Sequence, residues 1–127
     1  MNDEPNLVII TEDAEDNVLI LTALLESNGF KTKRAKNGAE CIKILEKTNP
    51  GLVLLDIMMP GMDGFEALLK IKSQPQTKNI PVVMCSAVNR MNDVEKCHQF
   101  GASGYITKPF DMDRVLAKVK AVLDRKT

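Results

Sequence analysis

The chain has 127 residues, 44% hydrophobic and 27% charged, the composition of a globular domain of ordinary size that buries enough apolar surface to fold without staples. Its 17 Lys and Arg balance 17 Asp and Glu, so the net basic field that nucleic-acid binders carry is absent. Three scattered cysteines, Cys41, Cys85 and Cys97, do not make a disulfide framework and suit a reducing compartment. No apolar run is long enough to span a bilayer, and the polar, acidic residues 1–5 do not resemble a signal peptide, so a cytoplasmic location with no membrane partner is expected.

In chain order, the β-branched run Leu7-Val8-Ile9-Ile10 predicts a strand that ends in the acidic pair Glu12-Asp13. Asp16 or Asn17 is expected to cap a helix reaching about residue 27, with Gly29 as its stop. Residues 31–35 alternate polar side chains and predict a weaker strand near a sheet edge. Its basic members Lys31, Lys33 and Arg34, with Lys36 beyond, read as a solvated face. Residues 38–47 predict a helix with Cys41, Ile42 and Leu45 on its inner side, and Asn49-Pro50-Gly51 is expected to break the chain.

Leu52-Val53-Leu54-Leu55 predicts a second buried strand stopping at Asp56, and Pro60-Gly61 and Asp63-Gly64 mark a turn-rich loop. A helix over 65–73, with Leu68, Leu69 and Ile71 apolar, leads through a polar loop to a strand over 80–85 that ends at Ser86. Asn92 can cap a helix through residue 100, stopped by Gly101. Cys97-His98 within it lacks further ligands at metal spacing, so both read as ordinary helix residues. A short strand over 104–107 precedes Lys108-Pro109. Asp111 or Asp113 opens the last helix, whose apolar stripe is Val115, Leu116, Val119, Val122 and Leu123. Strict alternation of strand and helix predicts an α/β fold with a parallel sheet covered on both faces, one domain over 1–127 with its core at about 7–123 and no room for an output domain.

Ligands of such sheets bind at the carboxyl ends of the strands. Glu12 and Asp13 follow the first strand, Asp56 the third, Ser86 the fourth and Lys108 the fifth. Any one of these could be a cap or a turn former, but five together are hard to assign to chance. Converging carboxylates repel one another unless a cation joins them, and hard oxygen ligands without His or Cys point to Mg²⁺. Lys108 is a compact charge able to pair with a carboxylate or a phosphate, and Ser86 can donate to a phosphoryl oxygen. A carboxylate nucleophile, a metal and two donors suit phosphoryl transfer, which is catalysed mainly by positioning and charge stabilisation.

With these residues in place, the sequence resembles the response-regulator receiver domains over nearly its whole length. Leu52 to Gly64 (LVLLDIMMPGMDG) looks like the family's phosphoacceptor strand and loop, Cys85-Ser86-Ala87 like its hydroxyl switch, and Tyr105-Ile-Thr-Lys108-Pro109-Phe110 like its fifth strand and lysine turn. The resemblance implies a flavodoxin-like, doubly wound sheet of order 2-1-3-4-5 with five helices. It implies Asp56 as phosphoacceptor and Ser86 and Lys108 holding the phosphoryl oxygens. Mg²⁺ would be bound by Asp13, Asp56, the backbone carbonyl of Met58 and, through water, Glu12. It further implies a cis Lys108-Pro109 peptide, and a switch in which Ser86 and Tyr105 move and the surface of the fourth helix, fifth strand and last helix changes for a protein target. The donor would be a histidine kinase or phosphotransfer protein, with no direct nucleic-acid partner; homodimerisation is common in the family, and nothing in this sequence fixes it. His98, the only histidine, lies on a helix expected to be exposed, so the chain should not be its own donor.

Two departures stand out. Glu12-Asp13 replaces the commoner pair of aspartates, and Ala14-Glu15 replaces the acidic-then-proline sequence often seen next. Met58 and Val88, two residues beyond Asp56 and Ser86, occupy positions that in the family influence the lifetime of the phosphoryl group. Apolar residues there cannot orient water, so slow self-hydrolysis is expected. Three other classes fit less well. An aspartyl phosphohydrolase carries an acid where Met58 stands, a flavin module needs a phosphate loop where Glu12-Asp13 would repel phosphate, and a phosphorylation-independent binding module would not need the five polar residues.

Overall fold

The aliphatic runs become the interior strands of one sheet. The computed structural model describes residues 3–59, 61–87 and 92–124, without the side chains of residues 87, 92 and 93. Five strands and five helices alternate in it. They are β1 (Asp3–Thr11), α1 (Glu15–Glu26), β2 (Lys31–Ala35), α2 (Gly38–Leu45), β3 (Asn49–Asp56), α3 (Gly64–Lys72), β4 (Val82–Ala87), α4 (Asn92–Gln99), β5 (Gly104–Lys108) and α5 (Met112–Asp124). All strand pairs are parallel, in the order β2-β1-β3-β4-β5 that the flavodoxin-like resemblance implied.

Helices cover both faces, so the central strands are apolar on both sides rather than alternating. Alternate residues feed two cores. Leu7, Ile9, Val53, Leu55 and Met84 pack with Cys41 and Leu45 of α2, Phe65, Leu68 and Ile71 of α3 and Cys97 of α4. Val8, Ile10, Leu52, Leu54 and Val83 pack with Leu21 and Leu25 of α1 and Val115, Val119 and Val122 of α5. Each fully buried aliphatic side chain of this kind contributes about 2 kcal/mol relative to exposure. β2 lies at the edge, as its polar alternation predicts, with Lys31 and Lys33 exposed.

Several local expectations are corrected. Neither Asp16 nor Asn17 caps α1. Ala14 is its N-cap, without a side-chain cap, and the Ala14 amide donates instead to Glu12 Oε2 at 3.2 Å. Asn49 and Pro50 do not break the chain but open β3, opposite Asp3 and Glu4. Proline is tolerated at the start of a strand, and the register shifts before Val8. There Gly51 lets β1 pass, since a Cβ would lie 2.1 Å from the Pro5 carbonyl oxygen. β4 begins two residues later than expected and continues through Ala87, paired with Lys108. Ile42 and Leu123 are half-buried but pack against the two cores in line with the expected apolar faces, while Leu116 is half-buried and Leu69 is exposed. Asp111, rather than Asp113, caps α5 by accepting the Arg114 amide. α4 does begin at Asn92, but the side chain expected to cap it lies outside the described residues, as does Val88.

Candidate functional site

The carboxyl edge of the sheet brings the polar residues together. Glu12, Asp56 and Ser86 are 2%, 3% and 1% exposed, among the few polar groups in the interior, whereas Asp13 is exposed. Lys108, ending β5, places its ammonium between two carboxylates, 2.8 Å from Glu12 Oε1 and 2.9 Å from Asp56 Oδ2. Asp56 Oδ1 accepts the Met58 amide at 3.3 Å. Carboxylate oxygens of Glu12, Asp13 and Asp56 all lie within 4.8 Å of one another, the spacing of a single cation's ligands. Their hard-oxygen chemistry fits Mg²⁺, and three carboxylates against one ammonium leave negative charge to neutralise. The Ser86 hydroxyl is buried without a hydrogen-bond partner, one residue beyond Cys85, which pairs in register with Asp56. A buried donor left unpaired is costly unless something else engages it.

Electrostatics follow from this packing. Burial is the largest influence on Asp56. The bond to Lys108 offsets it in part, the Glu12 charge adds to it, and the carboxyl is raised from 3.8 to about 6. Burial also pushes Glu12 upward, but Lys108 and the Ala14 amide together outweigh it and hold Glu12 below the usual carboxylate range. Lys108 is raised, because its two carboxylates outweigh the desolvation that acts against its charge.

The loop after β3 is fixed by the Asp-Gly sequence at 63–64. Asp63 Oδ1 accepts the Glu66 amide at 2.9 Å and so caps α3, while the Gly64 amide donates to the Ile57 carbonyl at 2.8 Å. A Cβ on Gly64 would lie 2.4 Å from the Asp56 carbonyl oxygen, so no other residue fits there unless β3 moves. The Lys108–Pro109 peptide is cis, as the resemblance implied. The Met58 side chain is 59% exposed at the rim, Tyr105 is half-buried against the α2–α4 core, and His98 is exposed on α4.

Two residues of this site escaped the sequence reading. Asn17 donates from Nδ2 to Glu12 Oε1 at 3.2 Å. Arg34, read as solvated, instead lies over the acidic loop, donating to the carbonyls of Glu12 and Asp13 and pairing with Glu15. The period of two held the signal. Thr32 and Arg34 share the face of β2 toward α1, where Glu26 and Glu15 receive them about three helical turns apart.

A doubly wound sheet with an acidic pocket at its carboxyl edge is the arrangement of the signal-receiving modules, and the family match bears this out. The response regulator receiver domain family matches residues 8–120, and the chain belongs to it, within two-component signalling. It is 33% identical over 119 residues to the polar-differentiation response regulator DivK of Brucella anthropi, covering 94% of this chain and 97% of DivK. It is 35% identical over 115 residues to response regulator PleD of Caulobacter vibrioides, covering 91% of this chain but spanning only 25% of PleD. Among solved structures, a putative response regulator from Chloroflexus aurantiacus superposes with a TM-score of 0.91 at 27% identity, covering 96% of this chain and all of that one. The receiver domain of the sensor histidine kinase PA1611 from Pseudomonas aeruginosa shares the fold at 23% identity and a TM-score of 0.85, covering 97% of this chain and 99% of that one; that protein has a magnesium ion in its active-site cleft. Receiver domains are signalling modules that bind Mg²⁺ in an acidic pocket and interact with histidine kinases or phosphotransfer proteins and downstream targets. No helix among the described residues is long and apolar enough to cross a membrane.

Proposed function

We propose that this chain is a cytoplasmic receiver domain over 1–127 that accepts a phosphoryl group on Asp56 from a histidine kinase or phosphotransfer protein. The observation that carries the reading is the buried Asp56 carboxylate, 2.9 Å from Lys108 and grouped with the Glu12 and Asp13 carboxylates at the end of a parallel sheet. A carboxylate oxygen of Asp56 forms the bond to phosphorus as the bond from phosphorus to the donor nitrogen breaks, leaving an acyl phosphate. Asp13, Asp56, the Met58 carbonyl and, through water, Glu12 would hold Mg²⁺, which supplies neutralisation of the phosphoryl oxygens. Lys108, already beside Asp56, exchanges a carboxylate partner for a phosphoryl oxygen. The Ser86 hydroxyl gains the acceptor it lacks. The chain thereby assists its own phosphorylation and dephosphorylation.

The switch follows from the Ser86 contact. Drawing Ser86 toward the phosphate opens space for Tyr105 to turn inward, which reshapes the surface of α4, β5 and α5 for a protein target. Incubation with acetyl phosphate and MgCl₂ followed by intact mass spectrometry tests the proposal. A single base-labile phosphoryl adduct is expected, dependent on Mg²⁺ and absent from Asp56→Asn. An equal adduct in the variant would refute Asp56 as acceptor.

A further inference from the structure

The acidic loop is held unevenly. The Glu12 carboxylate is fixed by Lys108, the Ala14 amide and Asn17, and its backbone amide continues the ladder to the Ala35 carbonyl. Asp13 is exposed, and among the described residues no hydrogen bond holds its carboxylate. What restrains its peptide is Arg34 at the edge strand. Arg34 Nη2 donates to the Asp13 carbonyl at 3.1 Å and to the Glu12 carbonyl at 3.4 Å, and Nε donates to the same Glu12 carbonyl at 3.4 Å. Glu15, in the first turn of α1, pairs with Nη1 and orients the guanidinium. One planar, rigid fork thus spans the edge strand, the acidic loop and the start of α1.

We infer that Arg34 is a positioning residue for the cation site, holding the 12–14 backbone so that the Asp13 carboxylate meets a divalent ion already oriented. The inference rests on the reading that Glu12, Asp13 and Asp56 hold Mg²⁺. Outer groups that orient a metal's ligands commonly change its affinity by an order of magnitude when removed. Two effects of Arg34 have opposite signs, which makes the inference decidable. As a bare positive charge near the site, Arg34 would repel a cation, and its removal would tighten binding. As a brace, it lowers the ordering cost of binding, and its removal weakens binding.

Calorimetric titration of the metal-free protein with MgCl₂ separates the two, with thermal melting of the same samples as a check on the fold. Arg34→Met should bind Mg²⁺ on the order of tenfold more weakly than wild type. Arg34→Lys keeps the charge without the fork and should fall between them. Arg34→Lys also serves if Arg34→Met does not fold, because with the charge kept any weakening comes from the lost fork. Equal or tighter binding by a folded Arg34→Met, or by Arg34→Lys in its place, would overturn the inference while leaving the cation site standing. No binding by wild type would overturn the cation site itself, and the inference with it.

Discussion

Burial at the carboxyl edge of the sheet, with the Glu12 charge added to it, lifts the Asp56 carboxyl above its ordinary value despite the Lys108 ammonium beside it. Its raised value means that the folded chain binds the Asp56 proton more tightly than the unfolded chain does. Asp56 therefore costs the metal-free fold nothing below its ordinary value of 3.8, and the cost grows as pH rises to about 6, where it levels off. Glu12 has the opposite sign. Its lowered value contributes stability above 4.5 that is lost as pH falls. Asp56→Asn should accordingly stabilise the metal-free protein by about 3 kcal/mol at pH 7, with the gain fading to near zero by about pH 3. Urea unfolding of both proteins across that range reads the difference, and a gain independent of pH would show that the titration of Asp56 is not its source. Met58 poses a kinetic question at the same scale. Exposed and apolar beside the site, it cannot orient water. Met58→Asn should shorten the lifetime of the phosphorylated form several-fold, measured as loss of the adduct after the donor is removed. An unchanged lifetime would mean that position 58 does not control hydrolysis.

At the scale of elements, the site depends on how β3 hands over to α3. The Gly64 amide bonds the Ile57 carbonyl, and its α-carbon leaves no room for a side chain against Asp56. Gly64→Ala should cost about 2 kcal/mol of stability and weaken Mg²⁺ binding, because relief of the clash moves the strand end that carries Asp56. Denaturation with a parallel Mg²⁺ titration tests this, and wild-type values in both would show that the loop accommodates a methyl group freely. The existence of the strands was legible in the sequence because Leu7 to Ile10 and Leu52 to Leu55 are buried on both faces, whereas their order was implied only by the family resemblance. Boundaries were less so. The start of α1 is set by Glu12, whose carboxylate takes the Ala14 amide, and that contact depends on where β1 ends in three dimensions. Asn49-Pro50 resembled a break because local turn chemistry carries no sign of the β1 partner that makes it a strand.

At the scale of the whole molecule, the five polar residues predicted from the sequence converge because parallel strands deliver their carboxyl ends to one edge. Arg34 was not legible in the same way, since its role depends on which face of an edge strand turns toward α1. The proposed switch links this edge to the α4-β5-α5 face through Ser86 and Tyr105. Tyr105 is the only tyrosine and the chain has no tryptophan, so its fluorescence reports the switch directly. Phosphorylation should change that fluorescence in wild type, and Ser86→Ala should take the phosphoryl group while losing most of the change. An equal change in the variant would uncouple Tyr105 from the hydroxyl.

The most direct test of Asp56 as the acceptor is chemical mapping of the modified residue. The protein is phosphorylated with Mg²⁺ present, reduced with borohydride to convert an acyl phosphate into an alcohol, and digested for peptide sequencing by mass spectrometry. Conversion confined to Asp56 is the predicted result. Conversion at Glu12, Asp13 or elsewhere, or a stable phosphate on a hydroxyl side chain, would contradict the account.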